Sequence, residues 1–254
     1  MNQSQILSDT EEICRLVAEQ VKIEQNIHAS PENSQNDQNA PGNCQFTSNE
    51  VLDALNSNED GDARLYIELH RDLFCYDTAA GCWFRWSGHF WQEDILNDAM
   101  SSIDKVIAIY ATELERLTWA QQKEIVNGAG LDKEKIKKIE TTRKIILKRV
   151  ALLQTVKRKE YILKLARTGE ISLAIRGDEW DNQPMLLGVS NGIIDLETGI
   201  LSLGNPKDYI KTIAPTIYQG IDYPSPVWDK FLLDIFDENT ELVSYFQRLL
   251  GYGI

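Results

Sequence analysis

The side chains with the richest chemistry fall within 20 residues: His70, Cys75, Cys82 and His89 are all zinc-ligand types. Their spacing argues against a metal. Structural zinc sites pair ligands two to four residues apart, and here four, six and six residues intervene. Buried thiols in an aromatic hairpin are the better reading. Asn56, Asn58, Asp60, Gly61 and Asp62 imitate the start of a calcium loop, but its twelfth position is Ile67, where a bidentate Glu is needed. A capped helix start explains the same residues. Asp60-Gly61-Asp62 also satisfies the Asp-x-Asp pair of two-metal polymerising sites. With 39 acidic residues such a pair arises by chance, and no matching second element follows. A phosphate-cradling loop needs Gly-x-x-x-x-Gly-Lys-Ser/Thr, and the sequence contains no Gly-Lys pair. Gly188-Val189-Ser190-Asn191-Gly192 matches Gly-x-Ser-x-Gly in letters, but it ends in an Asn-Gly hairpin turn and does not lead into the helix that a nucleophile elbow needs. Three His give little base chemistry. No complete catalytic site, metal or cofactor is expected in these residues.

Charge is the stronger signal. The chain carries a net -13, yet Lys133 to Arg167 holds 13 Lys and Arg against three Glu, a local +10 that leaves -23 for the rest. One cationic element on an acidic body is the layout of a protein that faces nucleic acid along one surface. The candidate phosphate contacts are Lys137, Lys138, Lys144, Lys148, Arg149, Lys157, Arg158 and Lys159. The alternative is a solvated face, or one that pairs with the acidic body or an acidic neighbouring subunit. Trp83, Trp86 and Trp91 have the rings to stack on unpaired bases. Only Arg85 lies near them in sequence, so an aromatic core that anchors a hairpin is favoured.

These residues need elements to hold them. Ser8-Asp9-Thr10-Glu11 fits a capping box and opens a short helical arm over residues 1–25. Residues 26–46, rich in Asn, Gln, Ser and Pro, read as a disordered linker. Thr47-Ser48-Asn49-Glu50 opens a capped helix, and a third starts near Asp62. Leu73 to Trp91, dense in aromatics and broken by turn residues, predicts a small hairpin or meander. Leu96, Ala99, Ile103, Val106, Tyr110, Leu114 and Leu117 recur at helical spacing and predict one long helix from Glu93. After Asn127-Gly128-Ala129-Gly130, Ile136, Ile139, Ile146, Val150 and Leu153 predict a second, which carries the basic segment, and Arg158 to Ala166 a further piece ending at Thr168-Gly169. Asn191-Gly192 and Glu197-Thr198-Gly199 mark a second short hairpin, and helices resume after Pro224 and Pro226. The expected class is α+β, mostly helical, with long amphipathic helices, a small aromatic β-hairpin or meander and a second short hairpin.

At 43% hydrophobic and 26% charged residues, with six Trp, the composition is that of a folded globular chain. No run approaches a membrane span, and the start lacks the basic and apolar regions of a secretory signal. Four scattered cysteines suit a reducing compartment, so free thiols, a cytoplasmic location and no membrane partner are expected.

Four segments, in order, carry a resemblance: NEDGDARLYIELH, CWFRWSGHFW, SNGIIDLETGILSL and VWDKFLLDIFDENTELVSYFQRLLGYG. The most specific positions are Asn191, Gly192, Asp195, Leu196, Thr198 and Gly199, the stretch Trp228 to Phe231, and Leu249-Leu250-Gly251-Tyr252. From about Ser48 to its end the chain resembles the N-terminal domain of phage and plasmid primase-helicases and of the related poxvirus-type NTPase. The resemblance implies a non-motor module of a replicative helicase-primase that binds and guides DNA, single-stranded or forked, and connects it to an ATPase ring. It implies a domain over 47–217, a helical lead-in over 218–254, and a superfamily-three motor beyond it to which ATP and Mg would belong. The implied partners are DNA, replication proteins and further copies joined through the parent ring. A protein-interaction or oligomerisation scaffold without DNA contact is the alternative. The Asn-Gly and Thr-Gly positions, Asp195, Trp228 and the hairpin tryptophans are expected to be structural.

Overall fold

Thr47 accepts a hydrogen bond from the Glu50 amide, and the Glu50 carboxylate reaches back to the Thr47 amide at 2.7 Å. This is the capping box expected there, and it opens α1 (Ser48–Asn56). Ser57 and Asn58, the latter at φ 54°, turn the chain directly into α2 (Asn58–His70). The two helices touch at backbone distance: a Cβ on Gly61 would sit 1.8 Å from the Ala54 carbonyl oxygen, so only glycine fits. The computed structural model describes residues 46–126 and 133–253. The expected arm over 1–25, the linker up to residue 45 and the break at 127–130 lie outside these residues. Phe46, assigned to the linker from sequence, is buried in the helical core.

The aromatic stretch forms the expected meander, β1 (Phe74–Asp77), β2 (Cys82–Trp86) and β3 (Trp91–Glu93), antiparallel throughout. A fourth strand, β4 (Ala174–Ile175), pairs parallel to β1 after a long excursion. That excursion contains α3 (Asp98–Ser101), α4 (Asp104–Val126), α5 (Lys133–Leu153) and α6 (Val156–Ala166). The predicted helix from Glu93 starts too early. Glu93 pairs with Phe84 in the sheet, the Asp94 carboxylate accepts from the Asp98 and Ala99 amides, and Asn97 at φ 58° breaks the path. Leu96, placed on the apolar stripe by its spacing, is 80% exposed, whereas Ala99, Ile103, Val106, Tyr110 and Leu114 are buried.

The main core lies among α1, α2, α4, α5 and α6, around Tyr66, Tyr110, Ile103, Ile146, Leu153 and Ile162. A smaller core of Cys75, Phe84, Trp91 and Ile175 lies on the other face of the meander, closed by Trp180 and Tyr209. The second sheet has the order β7-β6-β5-β8. It comprises β5 (Leu186–Val189), β6 (Gly192–Asp195), β7 (Ile200–Ser202) and β8 (Ile213–Ala214), the last again parallel. Trp91 ties the two sheets together, its amide donating to Ile210 O at 2.8 Å and its indole to Pro206 O at 2.9 Å. The chain continues into α7 (Pro226–Ile235) and α8 (Thr240–Gly251), joined by a Phe236–Phe246 contact. The result is α+β and mostly helical, as the sequence pattern predicts.

Candidate nucleic-acid interface

The cationic segment divides into an inner and an outer set. On the inside, Asp62 is fully buried in α2. Its Oδ1 accepts from the Tyr110 hydroxyl at 2.7 Å and from Arg149 at 2.8 Å, and its Oδ2 accepts from Arg158 Nε at 3.0 Å and Nη2 at 2.6 Å. Arg149 also donates to Leu55 O, Asn58 O and Asn58 Oδ1, which caps the end of α1, and Arg158 pairs with Glu59. A buried anion is tolerable only when every lone pair is used. Here the carboxylate binds α4, α5 and α6 to α2. Burial is the first cause that pushes the Tyr110 hydroxyl pKa well above its ordinary value, and the neighbouring Asp62 charge adds to it.

Arg149 and Arg158, counted from sequence among the phosphate contacts, are therefore corrected to buried structural residues. Their spacing placed them beside the lysines, but the nearest unmet charge was the carboxylate of Asp62. Lys159 is partly covered and pairs with Asp104 at 2.7 Å. The outer set is all lysine on α5: Lys137, Lys144 and Lys148 are exposed at positions i, i+7 and i+11, one stripe opposite the buried Ile146, Val150 and Leu153. Lys138 is exposed about a quarter turn to the side. Lys157 is exposed on α6, as are Lys164 and Tyr161, which the sequence reading passed over. The signal for them was present, since Lys157, Tyr161 and Lys164 stand at i, i+4 and i+7.

The remaining candidates do not assemble into chemistry. His70 donates from Nδ1 to Tyr66 O at 2.8 Å, its Nε2 has no partner, and burial lowers its pKa to about 4, so it is neutral. Cys75 is buried and Cys82 half-buried, both free thiols, with burial raising each pKa. Among the described residues no group of three or more His, Cys, Asp or Glu is placed to hold a metal ion. Asp60 points to solvent while Asp62 is inside, so Asp-x-Asp is not a pair of ligands. Trp91 is buried, Trp86 meets it edge-on at 5.4 Å, and Trp83 packs against the helical core. A recess of about 500 Å³ beside the second sheet, lined by residues such as Leu187, Ile194, Tyr218 and Ile221, has no charged side chain or histidine in its wall.

The motif residues act on the second sheet. Asn191 exchanges hydrogen bonds with the Tyr218 backbone in both directions, at 3.0 and 2.9 Å. A Cβ on Gly192 would lie 2.4 Å from Ser202 O. Asp195 Oδ1 accepts from the Glu197 and Thr198 amides, the Thr198 hydroxyl accepts from Ile200 N, and Gly199 at φ 69° closes the turn under the Tyr218 hydroxyl. Trp228 stacks on Phe231 at 5.6 Å on the surface of α7.

The fold and this surface define a mostly helical α+β module whose cationic charge is part internal clamp, part exposed lysine face. Residues 63–237 match the model of the D5 N-terminal-like family, and the chain belongs to that family, the N-terminal domain of primase-helicase proteins. No curated protein matches the chain in sequence. No helix among the described residues is long and apolar enough to cross a membrane.

Proposed function

We propose that this chain is a non-motor, DNA-binding module of a replicative helicase-primase, guiding DNA along α5 and α6 toward an ATPase carried elsewhere in the parent protein. The observation that supports it best is the stripe of Lys137, Lys144 and Lys148 on a helix whose opposite side is clamped through Arg149 to Asp62. Lysines meet phosphates as point charges and read no base, which suits a guide that must pass any sequence. In this reading residues 47–217 form the DNA-facing domain and 218–254 the connection onward. It works in the cytoplasm with no cofactor of its own, ATP and Mg belonging to the motor.

The test is binding of single-stranded and forked DNA at low and moderate salt by the chain and by a Lys137→Glu, Lys144→Glu, Lys148→Glu variant. If all three lysines contact phosphates, the salt slope on single strands falls by about 2. Unchanged affinity and slope would sink the assignment.

A second reading, an assembly scaffold that never touches DNA, is favoured by α7 and α8. Leu232 is the residue they bury, while Val227, Phe231, Tyr245 and Tyr252 are half or more exposed. Light scattering of the chain separates the two: a monomer that binds DNA excludes the scaffold.

A further inference from the structure

The outer face of α6 carries more than charge. Lys157, Tyr161 and Lys164 form one stripe, opposite the buried Arg158, Ile162 and Ala166. Tyr161 leaves 44% of its surface open, and Lys157 Nζ lies 5.8 Å from its ring centroid. At the end of the helix Arg167 lays its guanidinium 4.4 Å over the Tyr76 ring, and Tyr76 meets Trp83 edge-on at 5.3 Å. From Tyr161 to Arg167 the helix rises about 9 Å.

Cations interleaved with an open aromatic ring suit one ligand class in particular. A duplex keeps its base faces inside the stack, so an exposed ring gains nothing from it. An unpaired strand offers both phosphate and a free base face, and single-strand sites combine a cationic track with stacking aromatics. An acidic peptide would satisfy the lysines but would leave the ring without a flat partner.

We propose that the stripe Lys157–Tyr161–Lys164, continued by the Arg167–Tyr76 stack, binds a single-stranded nucleic acid, with Tyr161 stacking on a base and the lysines contacting the phosphates beside it. This rests on the reading of α5 and α6 as a nucleic-acid face and adds to it the kind of strand and the residue that recognises it.

The experiment measures fluorescence anisotropy of labelled oligo-dT, oligo-rU and a blunt DNA duplex with the full chain, Tyr161→Ala and Tyr161→Phe, thermal melts confirming that both variants are folded. Tyr161→Ala weakens binding of a single strand roughly five- to a hundred-fold, Tyr161→Phe stays within about twofold because it keeps a π-face, and duplex binding is unchanged. A loss on either oligomer supports the proposal, and the one with the larger loss names the strand. Unchanged single-strand affinity in Tyr161→Ala, or an equal loss on duplex, overturns it. So does a poly-Glu peptide whose binding depends on Tyr161 as strongly as that of oligo-dT. The wider reading fails separately: no variant or parent would bind any nucleic acid, or the Lys137, Lys144 and Lys148 changes would have no effect. If those lysine changes weaken binding while Tyr161→Ala does not, only the stacking site falls.

Discussion

Asp62→Asn tests the clamp that holds the cationic helices in place. The substitution keeps the side chain's shape but removes its charge and turns one oxygen into a donor facing guanidinium N–H groups. Arg149 keeps its bonds to Leu55 O, Asn58 O and Asn58 Oδ1, and Arg158 keeps Glu59, yet both lose the charge that sits between them. Removing one partner of a buried ion pair costs about 3–5 kcal/mol. At roughly 2–4 °C per kcal/mol for a folding unit of this size, the melting temperature falls by about 6–20 °C. The assay is thermal unfolding followed by circular dichroism, with urea midpoints as a second readout. Asp60→Asn, two residues away on the surface, is the control and shifts the midpoint by no more than about 2 °C. A triple change of Asp62→Leu, Arg149→Met and Arg158→Met recovers part of the loss, because no buried charge is then left alone; Glu59, which loses Arg158, keeps 43% of its side chain in solvent. An Asp62→Asn protein that melts within about 2 °C of the parent would refute the clamp. Equal losses from Asp60→Asn and Asp62→Asn would instead point to the two carboxylates acting as a pair.

Burial holds the His70 pKa at about 4, against 6.5 for an ordinary histidine. The unfolded chain therefore takes up the proton first on acidification, and this contribution to stability is whole above about pH 6.5 and lost as pH falls toward about 4. Between about pH 7 and 5 the loss from this group is about 2 kcal/mol, read as a fall in urea midpoint that is shallower in His70→Gln; parallel pH profiles would contradict it. Gly61→Ala drives a methyl into the Ala54 carbonyl and costs about 1–3 kcal/mol or more, a loss visible in the same melts; an unshifted midpoint would mean that α1 and α2 cross differently.

Which parts of this fold the sequence discloses follows from the range of the interactions involved. Thr47 and Glu50, the aromatic meander and the Asp195 to Gly199 turn are set by neighbours within a few positions, and all are legible. The false helix start at Glu93 shows the limit: Leu96 keeps the helical spacing, but the Asp94 carboxylate and the left-handed Asn97 decide the path. β4 and β8 are two residues long and pair with strands far upstream, so no local pattern marks them. The cationic segment was visible as a charge count, yet the count treats all 13 basic residues alike. Only Asp62, some 90 positions away in sequence, separates Arg149 and Arg158 from the lysines. Tyr161 is hidden for the opposite reason: its i−4 and i+3 neighbours, Lys157 and Lys164, register as charge, and a charge count does not see the ring between them.

The parallel β1–β4 pairing gives the molecule an order of assembly. Thr78 meets Ile175 across 97 positions, and everything from α3 to α6 lies inside that loop. The meander is able to form early from local contacts, but β4 reaches its edge only after the enclosed helices have collapsed and carried the chain back. In a hydrogen-exchange time course during refolding, the Tyr76 and Thr78 amides, which donate to Leu173 and Ile175, should gain protection last in the first sheet and so report that the lysine-bearing helices are home.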